Sequence, residues 1–480
     1  MQNTTGPSFK KSLNLFDSTA LVVGSMIGSG IFIVSADMSR TLGAPGWLLV
    51  AWIITGVLTI FAALSYGELA SMMPKAGGQY VYLREAYNPL VGFLYGWTLF
   101  GVIQTGTIAA VAMAFAKFAG VLFPFFSEKS IWLDLGFVQF NTVQILAISS
   151  ILILTFLNSR GIKSGKIIQN AFTSTKAIVL IAFLILGFFF VKNASVGVQN
   201  SGIFWDAVKI DNGQVLNLSG FALIAAIGTA MVGSLFSSDA WNNITFTAGE
   251  VINPKRNIPL SLFFGTLIVT VIYILVNIVY LKTLPLRGTE DGVTVIERGI
   301  QYATNDRIGT ASITGIFGDY AAIVMAIFVM ISTFGCNNGL ILSGSRVYYA
   351  MANDGLFFKK TGTLNKKGVP SASLYTQCIW ASLLCLSGTY GNLLDYVIFA
   401  VLIFYSLTIA GVFILRVKRP DVERPYKAFG YPIIPALYII LAIFIMIDLL
   451  IYKPDYTWPG LIIVLIGIPV YFIWKSFSKK

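Results

Sequence analysis

Twelve long apolar segments occupy most of this 480-residue chain. Most of them contain the roughly 20 residues that an α-helix needs to cross about 30 Å of hydrocarbon. Only 11% of the residues are charged, against about 25% in a typical soluble domain. Because only helices and closed barrels satisfy their backbone in lipid, the segments predict an all-α polytopic membrane protein with twelve transmembrane helices. The apolar segments are 15–41, 46–72, 90–119, 142–159, 167–191, 218–247, 259–282, 314–349, 371–389, 392–416, 432–451 and 458–476.

Lysine and arginine are unevenly distributed between the connections, and this bias sets the expected orientation. With the N-terminal stretch 1–14 in the cytoplasm, the cytoplasmic connections hold 22 of the 33 Lys and Arg residues, and the outer ones hold ten. We therefore expect a multi-pass protein of the cell (plasma or inner) membrane with both termini cytoplasmic. Attraction of the inner loops to anionic lipid accounts for the net charge of +12 without a nucleic acid partner. We expect no cleavable signal peptide, since the first segment is too long and lacks a small-residue cleavage site.

Residue types that many catalytic sites require are missing or sparse. The chain contains no histidine, and its three cysteines all lie within apolar segments. These facts exclude HExxH zinc sites and Ser-His nucleophiles, and they predict no disulfide framework. We therefore expect no enzyme activity, no cofactor and no metal site. A channel is the other competing class, but channels usually form pores from repeated rings or oligomeric symmetry.

The first apolar segment carries three glycines within seven residues, at positions 24, 28 and 30. Glycine costs about 1 kcal/mol relative to alanine in a helix interior, and each unpaired backbone group in lipid costs several kcal/mol. Such a stretch is tolerated where it faces protein, water or a ligand. It predicts a helix that is unwound at mid-membrane around a bound solute. Close helix packing is the alternative use of these glycines.

The sixth segment carries a second interruption, with Gly228, Gly233 and the polar run 234–243. The two interrupted segments are five apart. Interrupted helices at matching positions of two halves are typical of inverted-repeat transporters with a substrate site at mid-membrane. The predicted units are a first five-helix repeat, an inverted second repeat and two appended helices, at 15–192, 218–416 and 432–476.

The two interruptions offer opposite charge preferences to a ligand. The half-helix that starts near Ser29 and Gly30 exposes unpaired N–H groups and the positive end of a helix dipole, which suit a carboxylate. The preceding half-helix and the break at 234–238 expose carbonyl oxygens, which suit an ammonium group. Together they match the two main-chain charges of an α-amino acid.

Lys176 lies about ten residues, or about 15 Å, from the cytoplasmic end of the fifth segment, and therefore near the midplane. An ammonium group at that depth requires a partner or water, and the distance exceeds the reach of one snorkelling side chain. Beside the unwound part of the first segment, it would occupy space otherwise available to a sodium ion. The alternative is a structural lysine that donates to carbonyls of the broken helix, and the two interpretations overlap.

Five further side chains are candidates for function. Asp239 can pair with a lysine, accept from backbone N–H groups or face water, and it can also contact the substrate directly. Phe236 and Trp241 flank the second interruption, where they serve either as packing or as a lid over the substrate. Glu250, with Glu68 at the end of the second segment, is expected to contact inner-loop cations as a gate or a structural latch.

Five motifs, in order along essentially the whole chain, resemble those of the amino acid–polyamine–organocation superfamily, and specifically of the L-type amino acid transporter family. They are similar to the family's first helix, its second helix and first inner loop, its sixth helix, the end of its eighth helix and the loop after its tenth. The matching stretches are 28–32, 66–80, 236–254, 345–355 and 419–427.

This resemblance implies a LeuT-type 5+5 inverted repeat that works by alternating access. It implies that Ser29 and Gly30 bind the substrate carboxylate, and that carbonyls near Ile27 and Phe236 bind its amino group. Lys176 would take the place of the sodium site of sodium-coupled relatives, with Phe236 as the outer gate. The expected substrate-binding residues are Ile27, Gly28, Ser29, Gly30, Ile31, Phe236, Ser237, Ser238 and Asp239, and the expected gates are Phe236 and Trp241.

Members of this family are mostly sodium-independent exchangers, so the predicted function is sodium-independent exchange of L-amino acids, in the first place neutral ones. Proton-coupled relatives carry a similarly placed lysine, which leaves proton symport open. Many members have an aromatic residue where Ser238 stands and a small or neutral residue where Asp239 stands. The anion here leaves cationic amino acids or polyamines open as substrates.

The light chains of this family in eukaryotes pair with a heavy chain through a cysteine in the outer loop between helices 3 and 4. The corresponding loop 120–141 contains no cysteine here. We therefore expect no disulfide-linked heavy chain, and a self-sufficient bacterial transporter.

Overall fold

The computed structural model describes residues 9–127, 129–134, 139–191, 194–211, 214–387 and 390–478. Residues 1–8 of the predicted cytoplasmic stretch, and residue 192 at the end of the predicted first repeat, lie outside the described residues. Helices dominate the described part of the chain. The α-helices are α1 (Leu15–Met26), α2 (Ser35–Leu42), α3 (Pro45–Met72), α4 (Gln79–Ala86), α5 (Pro89–Thr98), α6 (Gln104–Leu122), α7 (Thr142–Ser159), α8 (Ile162–Phe189), α9 (Ala194–Gly202), α10 (Gly220–Ser237), α11 (Asn243–Phe246), α12 (Pro254–Thr283), α13 (Val295–Arg298), α14 (Ile308–Phe317), α15 (Tyr320–Asn353), α16 (Ser371–Ser387), α17 (Tyr390–Lys418), α18 (Ile433–Tyr452) and α19 (Pro454–Ser478).

Ten stretches of helix in the described residues are long and apolar enough to cross a membrane. Helix α5, a π-helical turn at Leu99–Ile103 and α6 form one of these spans, Pro89–Leu122. Shorter apolar helices occur at Leu15–Met26, Ile308–Phe317 and Ser371–Leu386. The predicted class, an all-α multi-pass membrane protein, is confirmed. The count of twelve transmembrane helices and the division into repeats stay predictions.

Short elements fill the predicted outer connections. The antiparallel hairpin of β1 (Ile131–Asp134) and β2 (Gln139–Asn141) lies between α6 and α7. A second antiparallel hairpin, of β3 (Val208–Asp211) and β4 (Gln214–Asn217), lies between α9 and α10. The predicted eighth segment begins too early, because the chain turns at Gly318, whose φ is +79°, and α15 starts only at Tyr320.

Helix α1 begins at a capping box, in which Asn14 and Asp17 each accept from the other's backbone N–H. It ends at Met26, where Ile27 has an extended backbone. A single 3-10 turn at Gly30–Phe32 follows, and α2 starts at Ser35. The helix therefore restarts in two steps, a 3-10 turn that begins at Gly30, near the predicted position, and an α-helix that begins only at Ser35.

The glycine at position 24 does not belong to the interruption. It lies inside α1, where an added Cβ would come within 2.2 Å of side-chain atoms of both Gln169 and Thr173 on α8. This glycine therefore serves close helix packing. Gly28 and Gly30 are the glycines that lie in the non-α-helical stretch.

The interruption of the sixth segment is shorter than predicted. Residues 234–237 still belong to α10, and the break runs from Ser238 to Asn242, with Ala240 at φ +65°. The hydroxyls of Ser234 and Ser237 donate to the carbonyls of Met231 and Gly233 in their own helix, which explains why polar residues continue it. The one-turn helix α11 then follows.

Both glutamates predicted to contact inner-loop cations pair with arginines, although the partner of Glu250 lies within α15 rather than in a loop. Glu68 accepts from Arg416 through both carboxylate oxygens, at 2.7 and 3.0 Å, and Arg424 lies 3.3 Å away. Glu250 accepts from Arg346 at 2.9 and 3.1 Å, and both side chains of this pair are 2% exposed. The two pairs join α3 to α17 and the end of the sixth segment to α15.

The chain before α1 closes over the same inner surface. The backbone N–H groups of Ser12 and Leu13 donate to the carbonyl of Glu250, and Ile252 donates back to Leu13. Lys166 on α8 lies 2.5 Å from Asp17. The start of α1 is therefore fastened to α8 and to the end of the sixth segment, on the side predicted to be cytoplasmic.

The Arg346→Met variant is expected to lose about 3–5 kcal/mol of stability, because it leaves Glu250 as an unpaired buried carboxylate. The double variant Glu250→Gln/Arg346→Met is expected to recover part of this loss. Thermal unfolding of the purified protein in detergent measures both effects.

The matched control is Lys255→Met, which removes the pair of Lys255 with Glu423, whose side chains are 54% and 74% exposed. Its effect is expected to stay below about 1 kcal/mol. Equal melting temperatures for Arg346→Met and the wild type would contradict the assignment of a strong buried pair.

Candidate functional site

The two interruptions lie against each other. A Cβ added to Gly30 would lie 2.1 Å from Oγ and 3.0 Å from Cα of Ser237, at the C-terminal end of α10. No side chain larger than hydrogen has room there without moving one of the two segments. Glycine at this position therefore allows the backbones of the two broken helices to meet.

Lys176 reaches the carbonyls at the end of α1. Its Nζ donates to the carbonyls of Gly24 at 2.8 Å and Ile27 at 2.7 Å, and to that of Ser332 on α15 at 3.2 Å. The side chain is 2% exposed. The last carbonyls of a helix receive no hydrogen bond from their own helix. The ammonium group supplies that hydrogen bond where α1 ends. The same contact ties α8 to both α1 and α15.

The carbonyl of Ile27 accepts from Lys176 at 2.7 Å. The hydroxyl of Ser332 lies 3.2 Å from the carbonyls of both Ile27 and Gly28 and has one proton to donate to either of them. The substrate amino group, which the sequence assigned to carbonyls near Ile27 and Phe236, would therefore share the Ile27 carbonyl with Lys176 in this conformation.

A tyrosine of α12 joins the two interruptions. The Tyr273 hydroxyl lies 3.0 Å from the carbonyl of Met26 and 3.1 Å from that of Ser237. About two turns further along the same face of α12, Tyr280 donates to the carbonyl of Ile31 at 3.2 Å. Sequence reasoning missed both tyrosines. Their spacing of seven places them on one face of α12, which was the available signal.

The two interruptions line one cavity of about 20 Å³, which has room for about one water molecule. Six of the predicted substrate-binding residues line it, whereas Ile27, Ile31 and Ser238 do not. The other lining residues, which were not predicted, are Ser25, Met26, Ala240, Thr107 and Val111 of α6 and Cys336 of α15. The six predicted residues in its lining are Gly28, Ser29, Gly30, Phe236, Ser237 and Asp239.

The two predicted gates occupy different places. Phe236 lines the cavity and is 7% exposed. Trp241 does not line this cavity. Its ring packs edge-on against Tyr66 of α3, with centroids 4.8 Å apart, and tilted against Tyr405 of α17 at 5.1 Å. Trp241 therefore belongs to a buried aromatic cluster beside the second interruption.

Asp239 accepts a hydrogen bond of 2.5 Å from the Tyr405 hydroxyl. Of the partners that the sequence left open for it, a lysine is absent among the described residues, since none of their ion pairs includes Asp239. Asp239 lines the cavity between the interruptions and two other small cavities.

The described residues contain no group of three or more His, Cys, Asp or Glu side chains that could hold a metal ion. The polar groups that do converge are backbone carbonyls and amides, one ammonium group and one carboxyl group. This set can bind a small zwitterion.

Sequence comparison places the chain among known transporters. The family model described as amino acid permease matches residues 13–472. Large neutral amino acids transporter small subunit 2 of Mus musculus is 29% identical over 99% of this chain and 83% of its own length. The b(0,+)-type amino acid transporter 1 of Homo sapiens is 28% identical over 98% of this chain and 89% of its own length. The chain belongs to the amino acid permease family, within the amino acid–polyamine–organocation superfamily, and is an amino acid transporter homologue that spans the membrane many times.

Proposed function

We propose that the protein is a sodium-independent secondary transporter of L-amino acids that works as an exchanger by alternating access. The contact of Lys176 with the carbonyls of Gly24, Ile27 and Ser332 carries this proposal. In transporters with discontinuous helices, unwound backbone carbonyls coordinate the coupling ion. Here an ammonium group takes those oxygens, so the protein carries its own fixed cation at that place.

The substrate carboxylate binds at Ser29 and Gly30, where the chain re-enters helical structure. The first N–H groups of a helical turn have no partner within it and attract anions. Gly30 has no side chain to hold a ligand away from the backbone. The amino group points to the C-terminal end of α10, whose last carbonyls form the negative end of that helix. The Ser237 carbonyl keeps a lone pair after accepting from Tyr273.

The cavity between the interruptions is too small for an amino acid, because it has room for about one water molecule. Substrate binding therefore requires the two broken helices to separate. The cytoplasmic side is closed by the pair of Glu250 with Arg346 and by the chain before α1. Opening of this side releases substrate inward, with Phe236 as the residue at the outer edge of the site.

One relative is named for large neutral amino acids and another for the b(0,+) type. We take these two names as the starting point for the substrates of this chain. The apolar lining by Val111 and Phe236 favours a neutral side chain. The buried carboxyl group of Asp239 beside the same cavity favours, as the second candidate, transport that includes cationic amino acids or polyamines or that takes up a proton.

The relative called small subunit 2 is named as part of an assembly. In this chain all three cysteines, Cys336, Cys378 and Cys385, are buried. None is available to a partner through a disulfide. We propose that the protein works in the cell membrane without a disulfide-linked heavy chain, with both termini in the cytoplasm.

Proteoliposomes loaded with unlabelled L-leucine are expected to take up labelled L-leucine in choline medium several-fold faster than empty vesicles. The reason is that the binding site of an exchanger returns to the outer face only with an internal substrate bound. Replacing choline by sodium is expected to leave the rate unchanged. Uptake that requires sodium would contradict the proposal. Uptake into empty vesicles that follows an inward proton gradient would replace exchange by symport.

The Lys176→Ala variant is expected to lose about 10- to 100-fold in exchange rate, because loss of a charged hydrogen-bond donor costs about 1.5–3 kcal/mol at a buried site. The control is Lys282→Ala, which removes another lysine that donates to a backbone carbonyl, that of Phe188. Both variants should reach the membrane at wild-type levels. Wild-type exchange by Lys176→Ala would refute the assigned role.

Substitution of Gly30 by alanine is expected to abolish exchange, since the new Cβ would lie 2.1 Å from Ser237 Oγ. Gly101→Ala is the matched control, because an added Cβ there meets no atom within 4 Å. Labelled leucine exchange and membrane abundance are measured for both. Equal exchange by the two variants would show that the close approach is not required.

A further inference from the structure

An apolar groove of about 360 Å³ lies between α8, α14 and the start of α15. Its floor is formed by Phe183, Ile313 and Met325, each at most 8% exposed, and its rim includes the half-exposed Phe317. Among the described residues that line it, none is charged, and the Tyr320 hydroxyl is their one polar side-chain group. Ligand pockets of about 300–1,000 Å³ are lined mostly by such apolar and aromatic side chains. The groove therefore suits an uncharged, apolar ligand.

The shape and setting of the groove indicate a ligand from the bilayer. Its wall on α8 runs from Val179 to Leu186, about 10 Å, and its wall on α15 runs from Tyr320 to Phe328, about 12 Å, at 1.5 Å per residue. Both helices belong to stretches that are long and apolar enough to cross a membrane. Beside the lining residues, α8 exposes the apolar side chains of Ile181 and Ile185, which in a membrane span face lipid. The groove thus opens toward hydrocarbon and runs along two membrane helices, as the chains of a bilayer lipid do.

The groove continues along the two helix faces that meet at Lys176. Val179, in its α8 wall, follows Lys176 by three residues, and Phe328, in its α15 wall, precedes Ser332 by four. Residues three or four apart are neighbours on one face of a helix. The Ser332 carbonyl accepts from Lys176 at 3.2 Å. A ligand in the groove therefore lies about one turn from the contact that joins α8 to α15 beside the first interruption.

The floor of the groove also connects to the first interruption. The Phe183 ring centroid lies 5.7 Å from that of Tyr280, whose hydroxyl donates to a carbonyl of the 3-10 turn at 3.2 Å. Gly309, in the first turn of α14, packs against both Met325 and Phe32, because an added Cβ there would lie 2.7 Å from Met325 Cε and 2.9 Å from Phe32 Cδ1. Phe32 belongs to that same 3-10 turn. Movement of the turn would therefore change the floor of the groove.

An apolar groove that stays empty leaves its lining without the dispersion contacts that a neighbour supplies, so hydrocarbon from the bilayer fills it. We propose that the groove binds one acyl chain of a phospholipid in the leaflet on the side proposed to be outer, and that the bound chain slows exchange by holding the substrate site closed. The second part rests on the proposed amino acid exchange, whereas the first does not.

The direction of the effect follows from the conformation in which the groove exists. A ligand shifts a conformational equilibrium toward the state that it binds better. The groove is present while the cavity between the interruptions has room for about one water molecule. Substrate binding requires the broken helices to separate, which moves the turn that contains Phe32 and disturbs the groove. An acyl chain in the groove therefore favours the closed state.

Labelling with a photoreactive lipid tests the site itself. Proteoliposomes of dioleoyl-phosphatidylcholine receive a trace of a phosphatidylcholine that carries a diazirine in one acyl chain, and mass spectrometry locates the adducts after illumination. Adducts are expected on Phe183 and Met325 of the floor as well as on the lipid-facing Ile181. Adducts on Ile181 without any on the floor would overturn the proposal. Labelling of the floor by a photoreactive sterol, and not by the phospholipid, would overturn the assigned ligand.

A variant that fills the groove assigns the floor adducts to a chain inside it. Ala321→Trp places a large side chain in the α15 wall and is expected to remove the adducts on Phe183 and Met325 while those on Ile181 remain. The control is Ile323→Trp on the same helix, at an exposed position outside the lining, and it is expected to label as the wild type does. Equal floor labelling of Ala321→Trp and the wild type would overturn the placement of the chain.

Alkyl chains tethered in the groove test its effect on exchange. The three native cysteines are buried, so Ala321→Cys supplies the accessible thiol for alkyl methanethiosulfonates, which attach the chain through a disulfide. A decyl chain is expected to slow labelled L-leucine exchange several-fold, and a methyl group is expected to leave it near the unmodified rate. The same series on Ala182→Cys, in the α8 wall, is expected to give the same order. The control is Ile323→Cys, where the decyl chain enters lipid and the rate is expected to stay unchanged.

Equal exchange after methyl and decyl modification at both groove positions would overturn the effect on the substrate site. An equal loss in decyl-modified Ile323→Cys would overturn it as well, because the chain would then act without entering the groove. Absence of exchange by the unmodified wild type would instead overturn the proposed function, and the adducts of the lipid probe on the floor would still establish the acyl-chain site.

Discussion

The ammonium group of Lys176 on the carbonyls that end α1 is the interaction on which the site depends. A helix that stops inside lipid leaves its last carbonyls without donors, and each costs several kcal/mol. A lysine at that depth is costly for the opposite reason. The ammonium group of Lys176 lies 2.7 Å from the carbonyl of Ile27 and 2.8 Å from that of Gly24, so the carbonyls gain a donor and the lysine gains acceptors. Each offsets the cost of burying the other, which explains why they lie together.

The rest of the centre is arranged around this end of α1. The hydroxyl of Tyr273 on α12 lies within 3.1 Å of the carbonyls of Met26 and Ser237, and so connects the two interrupted segments. Gly30 allows their backbones to touch. On the side proposed to be cytoplasmic, the pair of Glu250 with Arg346 fastens the sixth segment to α15. Because these contacts close the cavity to about the size of one water molecule, substrate binding must be coupled to their rearrangement. This coupling is what alternating access requires.

The sequence predicted the architecture better than the site. Length and hydropathy define membrane helices, since lipid leaves the backbone no other solution, and the position of Lys176 follows from counting residues along α8. The interruption near Gly28 was recognisable, but Gly24 was assigned to it although it packs against Gln169. Pattern alone does not show which side of a helix a neighbour touches.

The limits of the second interruption were misplaced for a related reason. Ser234 and Ser237 bond to their own helix, so their polarity signals no break. The contributions of Tyr273 and Cys336 depend on three-dimensional packing between segments far apart in the chain, and no local pattern carries that information. The relation of Asp239 to Tyr405 is of the same kind.

The most direct test of the account measures labelled sodium and labelled L-leucine in the same proteoliposomes during exchange. If the Lys176 ammonium group is the fixed cation of this site, leucine enters while sodium stays at the level of protein-free vesicles. Entry of sodium in a fixed ratio to leucine would show that an ion site exists despite the lysine, and would contradict the account.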